Sequence, residues 1–117
     1  MRARAHCSRE AVAVACRLHR PGYRSEEDAL RALKRRCPGL GAEAVNLLAT
    51  ARQVLSAALE LVEEELTTLR KYPYMPGGYT RAQQLVQSRA KLAARFPAFP
   101  ATARNVALAH AFIYQVL

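Results

Sequence analysis

The sequence predicts an all-α protein, a five-helix bundle packed around one long central helix. The stretch from Ala42 to Lys71 contains neither glycine nor proline, and its apolar residues recur at steps of three and four, as on one face of an α-helix. A second apolar series at steps of seven widens this face, so the helix must be covered from more than one side. Glycine and proline fall between shorter helical patterns elsewhere, and we expect one domain spanning residues 1–117.

Two shorter helices are expected before the central one. Ser8 can cap a first helix that ends near His19, where a Pro-Gly turn follows. Ser25 begins the second helix, with Asp28 three residues later as a variant of the capping box and with acidic residues in the first turn. A Pro-Gly-Leu-Gly turn ends this helix and leads into the central one.

Two helices are also expected after the central one. Thr80 can cap a fourth helix that runs to about Arg95, and a second proline turn separates it from a last helix, Ala103–Leu117. This last helix is apolar almost all round and ends without a polar cap. We therefore expect that its end is buried, that the chain continues in a longer protein, or that another subunit covers it.

Two segments, 36–46 and 95–105, resemble each other at an offset of 59 residues, with five of eleven positions identical. Both have the pattern helix, proline turn, helix. A duplication would make the fold two related αα-hairpins, residues 25–71 and 84–117, with one helix added in front. The alternative is that αα-hairpins in an alanine-rich chain reuse the same turn residues, and the sequence leaves both interpretations open.

The net charge of +9 is unevenly distributed along the chain. Residues 1–36 carry +6, residues 37–66 carry −4, and residues 67–117 carry +7 with no acidic residue. The positive balance admits nucleic acid, an anionic membrane surface or an acidic protein as a partner. The acidic middle indicates that helix packing neutralises part of this charge internally, so the net value overstates the case for nucleic acid.

The three cysteines are an odd number, and we see neither a secretory signal nor a membrane-spanning window. We therefore expect a reducing compartment, the cytoplasm. Cys7, Cys16, His19 and Cys37 could supply zinc ligands, but no Cys-x-x-Cys spacing accompanies them. The alternative is that the cysteines are small buried apolar residues.

The sequence predicts neither an enzyme nor a bound cofactor, because it lacks a nucleophile motif and a glycine-rich phosphate loop. By exclusion, we expect a non-catalytic protein–protein interaction module with a basic surface, either an adaptor or a self-associating protein. Tyrosine, methionine and apolar residues outside one buried stripe are typical of interfaces. The residues predicted to contact a partner are Tyr72, Tyr74, Met75 and Tyr79 in the loop after the central helix, and Phe112 and Ile113 on the last helix.

The alternative is a nucleic-acid-binding protein. Cations interleaved with tyrosines can contact phosphates and stack on bases. At the start of the last helix, Arg104 also suits a recognition helix. The residues of this alternative site are Arg70, Lys71, Arg81, Arg89, Lys91 and Arg95.

Overall fold

The computed structural model of the protein describes residues 2–19, 25–71 and 85–116. Within these ranges the chain is helical and contains no β-strand. The prediction of an all-α bundle around a long central helix is confirmed. The helices are α1 (Arg2–His19), α2 (Glu26–Arg36), α3 (Glu43–Lys71), α4 (Val86–Arg95) and α5 (Ala101–Val116).

Three helices, α1, α3 and α5, contact one another and form the centre of the bundle. The shorter α2 packs across α1 and α3, and α4 packs across α3 and α5. Small side chains in the centre let the helix backbones approach closely, and branched side chains fill the space between them. The fully buried alanines of this core are Ala11, Ala29, Ala44, Ala51, Ala58, Ala103, Ala107 and Ala111.

The central helix α3 is buried on more than one side, as its wide apolar face predicts. Leu48 and Val62 from the first apolar series are buried, and so are Val54 and Leu61 from the second. The part from Glu43 to Thr67 is also long and apolar enough to cross a membrane, but central helices of soluble bundles share these properties, so the indication is weak. The absence of a membrane span stays a prediction.

The expected start of α1 is wrong. The helix begins at Arg2, and Ser8 lies inside it with 3% of its surface exposed. The six residues before Ser8 contain no glycine or proline, so nothing in them interrupts a helix. Ser8, Val12 and Ala15 follow at steps of four and three and are all buried. Ser8 therefore belongs to the buried face of α1 and does not cap it.

The expected start of α2 is confirmed. The Ser25 hydroxyl accepts a hydrogen bond from the Asp28 N–H at 3.2 Å, and Ser25 has extended backbone angles. Two ion pairs tie α2 to its neighbours. Arg36 lies 2.7 Å from Glu10 on α1, and Glu26 lies 3.1 Å from Arg52 on α3.

The turn between α2 and α3 and the turn between α4 and α5 share one backbone hydrogen-bond pattern. In each turn the residue after the helix donates its N–H to the carbonyl four residues earlier, and its own carbonyl accepts from the N–H three residues later. The four bonds measure 2.8 to 3.2 Å. This shared geometry at the offset of 59 residues supports a duplication, which stays a prediction because unrelated αα-hairpins also use similar turns. The residues are Leu33, Cys37 and Leu40 in the first turn and Leu92, Phe96 and Phe99 in the second.

Candidate interaction groove

An open groove runs between the two interhelical turns. Its first part, with a volume of about 630 Å³, borders the turn between α2 and α3. Its second part, of about 360 Å³, borders the turn between α4 and α5. Ser8, Leu47, Thr50 and Phe99 line both parts, so we treat the two as one feature and call it the groove.

The floor of the groove comes from three parts of the fold. Leu47 and Thr50 are three residues apart on α3 and therefore share a face of that helix. Ser8 comes from the buried face of α1, and Phe99 from the second turn, with 7% of its surface exposed. The groove lies where α1 packs against α3. The turn between α2 and α3 borders its first part, and the turn between α4 and α5 borders its second part.

The groove combines an apolar floor with a few polar groups. Leu47 and Phe99 supply apolar surface, and Ser8 and Thr50 supply hydroxyls. Glu43 borders only the first part, and Arg95 borders only the second. Such a lining, mostly apolar with a few polar groups, is typical of sites that bind a ligand or a peptide side chain.

Arg104 holds the turn that borders the second part of the groove. Its Nη1 donates hydrogen bonds to the carbonyl oxygens of Phe96 at 2.9 Å and Phe99 at 3.0 Å. These carbonyls lie at the end of α4 and in the turn, where helical partners are missing. The guanidinium is therefore engaged by the protein's own backbone, and Arg104 does not project outward as a residue of a recognition helix would.

We expect Arg104→Met to lower the free energy of unfolding by about 1–3 kcal/mol, because hydrogen bonds from a charged donor contribute about that much. Methionine keeps the aliphatic part of the side chain and removes the donors. The matched control is Arg52→Met, whose ion pair with Glu26 is exposed and should contribute less than about 1 kcal/mol. Urea denaturation followed by circular dichroism measures both changes, and equal effects would contradict a special role for Arg104.

The structure places the predicted partner-binding residues in different settings. Ile113 is 48% exposed on α5 and is available to a partner. Phe112 is half-buried and packs against the core, so less of its surface is free for contact. The predicted loop residues Tyr72, Tyr74, Met75 and Tyr79 lie outside the described residues.

The basic residues of the alternative nucleic-acid site that lie on α4 do not share one face of the helix. Ser88 and Leu92 mark the buried face of this helix. At about 100° per residue, Arg89 falls on one flank of that face, and Lys91 and Arg95 fall on the other. All three are exposed, but they do not form a single cationic row.

The remaining residues of the alternative site are not described at the side-chain level. Arg70 and Lys71 end α3, where the structure gives the backbone. Arg81 lies outside the described ranges.

The residues considered for zinc separate into two places. The thiol of Cys7 interacts with that of Cys37 and contributes to raising its pKa. The His19 ring instead lies 4.6 Å from Tyr114 and 5.7 Å from His110, measured between ring centroids. Within the ranges that the structure describes, no three histidine, cysteine or acidic side chains are grouped to hold a metal ion.

Cys37 is 3% exposed and sits at the end of α2. Burial, followed by the interaction with Cys7 and the negative charges of Cys7 and Glu10, raises the pKa of its thiol to about 12. Cys37 therefore stays protonated at neutral pH. Cys7, which is half-buried, lines the first part of the groove.

Sequence reasoning missed the groove as a site. The sequence predicts Ser8 as a helix cap, and neither Thr50 nor Phe99 is among the residues predicted to contact a partner. The available signal was the internal resemblance, since it pairs the two turns and aligns Leu40 with Phe99. The resemblance does not predict how the two hairpins pack against α1. This packing creates the groove.

Comparison of the chain with known protein families, with curated proteins and with solved structures finds no match. The fold defines the chain as an all-α helical bundle.

Proposed function

We propose that the protein is a non-catalytic interaction module and that its groove binds a short segment of a partner protein. The observation that supports this proposal is the open groove with its apolar floor of Leu47 and Phe99. Binding sites for peptide segments use an apolar floor for affinity and a few polar groups for orientation.

The chemistry of the groove defines the segment that fits it. An apolar side chain would pack on Leu47 and Phe99, and its neighbouring backbone groups would meet the hydroxyls of Ser8 and Thr50. An acidic residue of the segment would lie toward Arg95 and away from Glu43. This orientation agrees with an acidic partner, which the net charge of +9 would attract over a longer range.

A second contact surface is proposed on α5. Ile113 exposes 48% of its surface, and a large exposed apolar side chain contributes to an interface when a partner covers it. This surface would serve a second protein or a second copy of the chain. The nucleic-acid alternative has weaker support, because Arg104 is bound to the turn and the cations of α4 are divided between two flanks.

We expect Thr50→Arg to weaken peptide binding at least about tenfold, a change of about 1.4 kcal/mol. Arginine at this half-buried floor position fills the groove. Peptides would first be selected from a random display library on the wild-type protein, and their dissociation constants would then be measured by fluorescence anisotropy. The matched control is Ala49→Arg, which adds the same side chain at an exposed position of the same helix.

The proposal fails if no peptide is enriched, or if Thr50→Arg and Ala49→Arg affect the selected peptides equally. A generic oligonucleotide tested in the same assay separates the alternative. Oligonucleotide binding that falls steeply with added salt, and that Thr50→Arg leaves unchanged, would favour the nucleic-acid function.

A further inference from the structure

The contact between Cys7 and Cys37 joins two elements that are far apart in the chain. Cys7 lies on the first two turns of α1, and Cys37 follows the last residue of α2. The Cys7 thiol interacts with the Cys37 thiol, and Glu10, three residues after Cys7, forms an ion pair at 2.7 Å with Arg36, the residue before Cys37. The two thiols are therefore held together by packing on both elements.

The backbone around Cys37 is also fixed. Its N–H donates to the Leu33 carbonyl at 2.8 Å, and its carbonyl accepts from the Leu40 N–H at 3.0 Å. A cysteine anchored in this way keeps its sulfur near the partner thiol. A disulfide requires the two Cα atoms to lie within about 7 Å of each other, and the ion pair between Glu10 and Arg36 brings the two parts of the chain together.

The two thiols differ in access. Cys7 lines the groove and is half-buried, so a small molecule can reach it. Cys37 is 3% exposed and does not line the groove. This combination of an accessible thiol with a buried neighbour is the arrangement of an attacking and a resolving cysteine.

We propose that Cys7 and Cys37 are a reversible thiol–disulfide pair that reacts with low-molecular-weight disulfides through the groove. This thiol reactivity is separate from peptide binding in the groove and does not depend on it. The link would join α1 to the turn between α2 and α3, which forms one wall of the groove. A transient disulfide of this kind suits a reducing compartment, where stable structural disulfides are rare.

The reaction balances in two exchange steps. The Cys7 thiolate attacks one sulfur of the small disulfide, forms a mixed disulfide, and releases the first small thiolate, which takes up a proton. Cys37 then loses its proton to solvent and attacks the Cys7 sulfur, which releases the second small thiolate. Two protein thiols are oxidised by two electrons in total, and one small disulfide is reduced to two thiols.

The buried state of Cys37 explains the order of the steps. A thiol with a raised pKa supplies little thiolate, so Cys37 does not react first. In the mixed disulfide the Cys7 sulfur becomes the site of attack, so Cys37 reacts in the second step.

Cys16 provides an internal comparison. It lies nine residues after Cys7, about 14 Å along α1 and half a turn away around the helix axis. It cannot reach Cys37 from the same position as Cys7. We therefore expect the disulfide to join Cys7 and Cys37 and not to include Cys16.

The test uses oxidised glutathione as the small disulfide, followed by blocking of free thiols, trypsin digestion and mass spectrometry. Trypsin places Cys7, Cys16 and Cys37 in separate peptides, residues 5–9, 10–17 and 37–52. In the wild-type protein we expect peptide 5–9 linked to peptide 37–52, and loss of this link after treatment with dithiothreitol. The variant Cys16→Ser should give the same link.

Two further variants separate the steps. Cys37→Ala should trap the glutathione mixed disulfide at Cys7, and Cys7→Ser should abolish the link and leave Cys37 unmodified. Circular dichroism checks that each variant is folded. If one variant is not folded, the link between the two peptides in the wild-type protein decides the test. The proposal is overturned if the link includes Cys16, if wild-type Cys7 keeps glutathione without forming the link, or if no cysteine reacts.

Discussion

Replacing Leu92 with alanine is expected to lower the free energy of unfolding by about 2–5 kcal/mol, the usual cost of removing a fully buried leucine side chain. Leu92 has no exposed surface and is one of the two buried residues of α4, together with Ser88. A helix of ten residues gains little stability by itself, so α4 depends on this contact to stay on the bundle. Urea denaturation followed by circular dichroism gives the change.

Two other substitutions make the Leu92 experiment specific. Leu33→Ala removes the corresponding side chain of the first hairpin, which is also fully buried, and should cost a similar amount. Val86→Ala changes an apolar residue on α4 that is 55% exposed, and should change stability by less than about 0.5 kcal/mol. If Leu92→Ala costs no more than Val86→Ala, α4 does not belong to the cooperative unit.

The elements that the sequence predicts well are those with local signals. The Ser25 cap and the turn after α2 depend on residues close together in the chain, and the structure shows both. The long apolar pattern of α3 is also local, because a helical face repeats every three or four residues. Such signals need no knowledge of the neighbouring helices.

The elements that the sequence predicts poorly depend on contacts between distant parts of the chain. Ser8 has the chemistry of a cap, but its position on the buried face of α1 decides its role. The groove likewise needs Ser8 from α1, Thr50 from α3 and Phe99 from the second turn in one place. No local pattern specifies this meeting, so propensity and spacing could not have predicted the site.

Glu65 is another residue whose role depends on a contact between distant parts of the chain, and replacing it should lower stability substantially. It interrupts an apolar series of α3, and the sequence suggests a solvated carboxylate or a partner for a basic residue. In the structure it is half-buried, and its two oxygens accept the N–H groups of Gln87 at 3.3 Å and Ser88 at 3.0 Å. The Ser88 hydroxyl is within hydrogen-bonding reach of the same carboxylate and of the Leu61 carbonyl.

These contacts cap α4 from another helix. Leu85 precedes α4, and its apolar side chain cannot cap the helix by a hydrogen bond. The first N–H groups of a helix lack partners inside the helix and carry partial positive charge, so a carboxylate stabilises them. Glu65 supplies this carboxylate across the contact between α3 and α4, which local sequence rules do not anticipate.

We therefore expect Glu65→Ala to lower the free energy of unfolding by about 2–3 kcal/mol, since hydrogen bonds to a charged group contribute about 1.5–3 kcal/mol. Glu65→Gln keeps one acceptor oxygen and should lose about half as much. Glu63→Ala is the matched control, because Glu63 is an exposed acidic residue on the same helix and should change stability by less than about 0.5 kcal/mol. Urea denaturation measures all three variants, and equal stabilities for Glu65→Ala and Glu63→Ala would show that the carboxylate does not hold α4 in place. A loss of stability confined to Glu65→Ala and Glu65→Gln would show that the Glu65 carboxylate helps to hold α4 on the central helix.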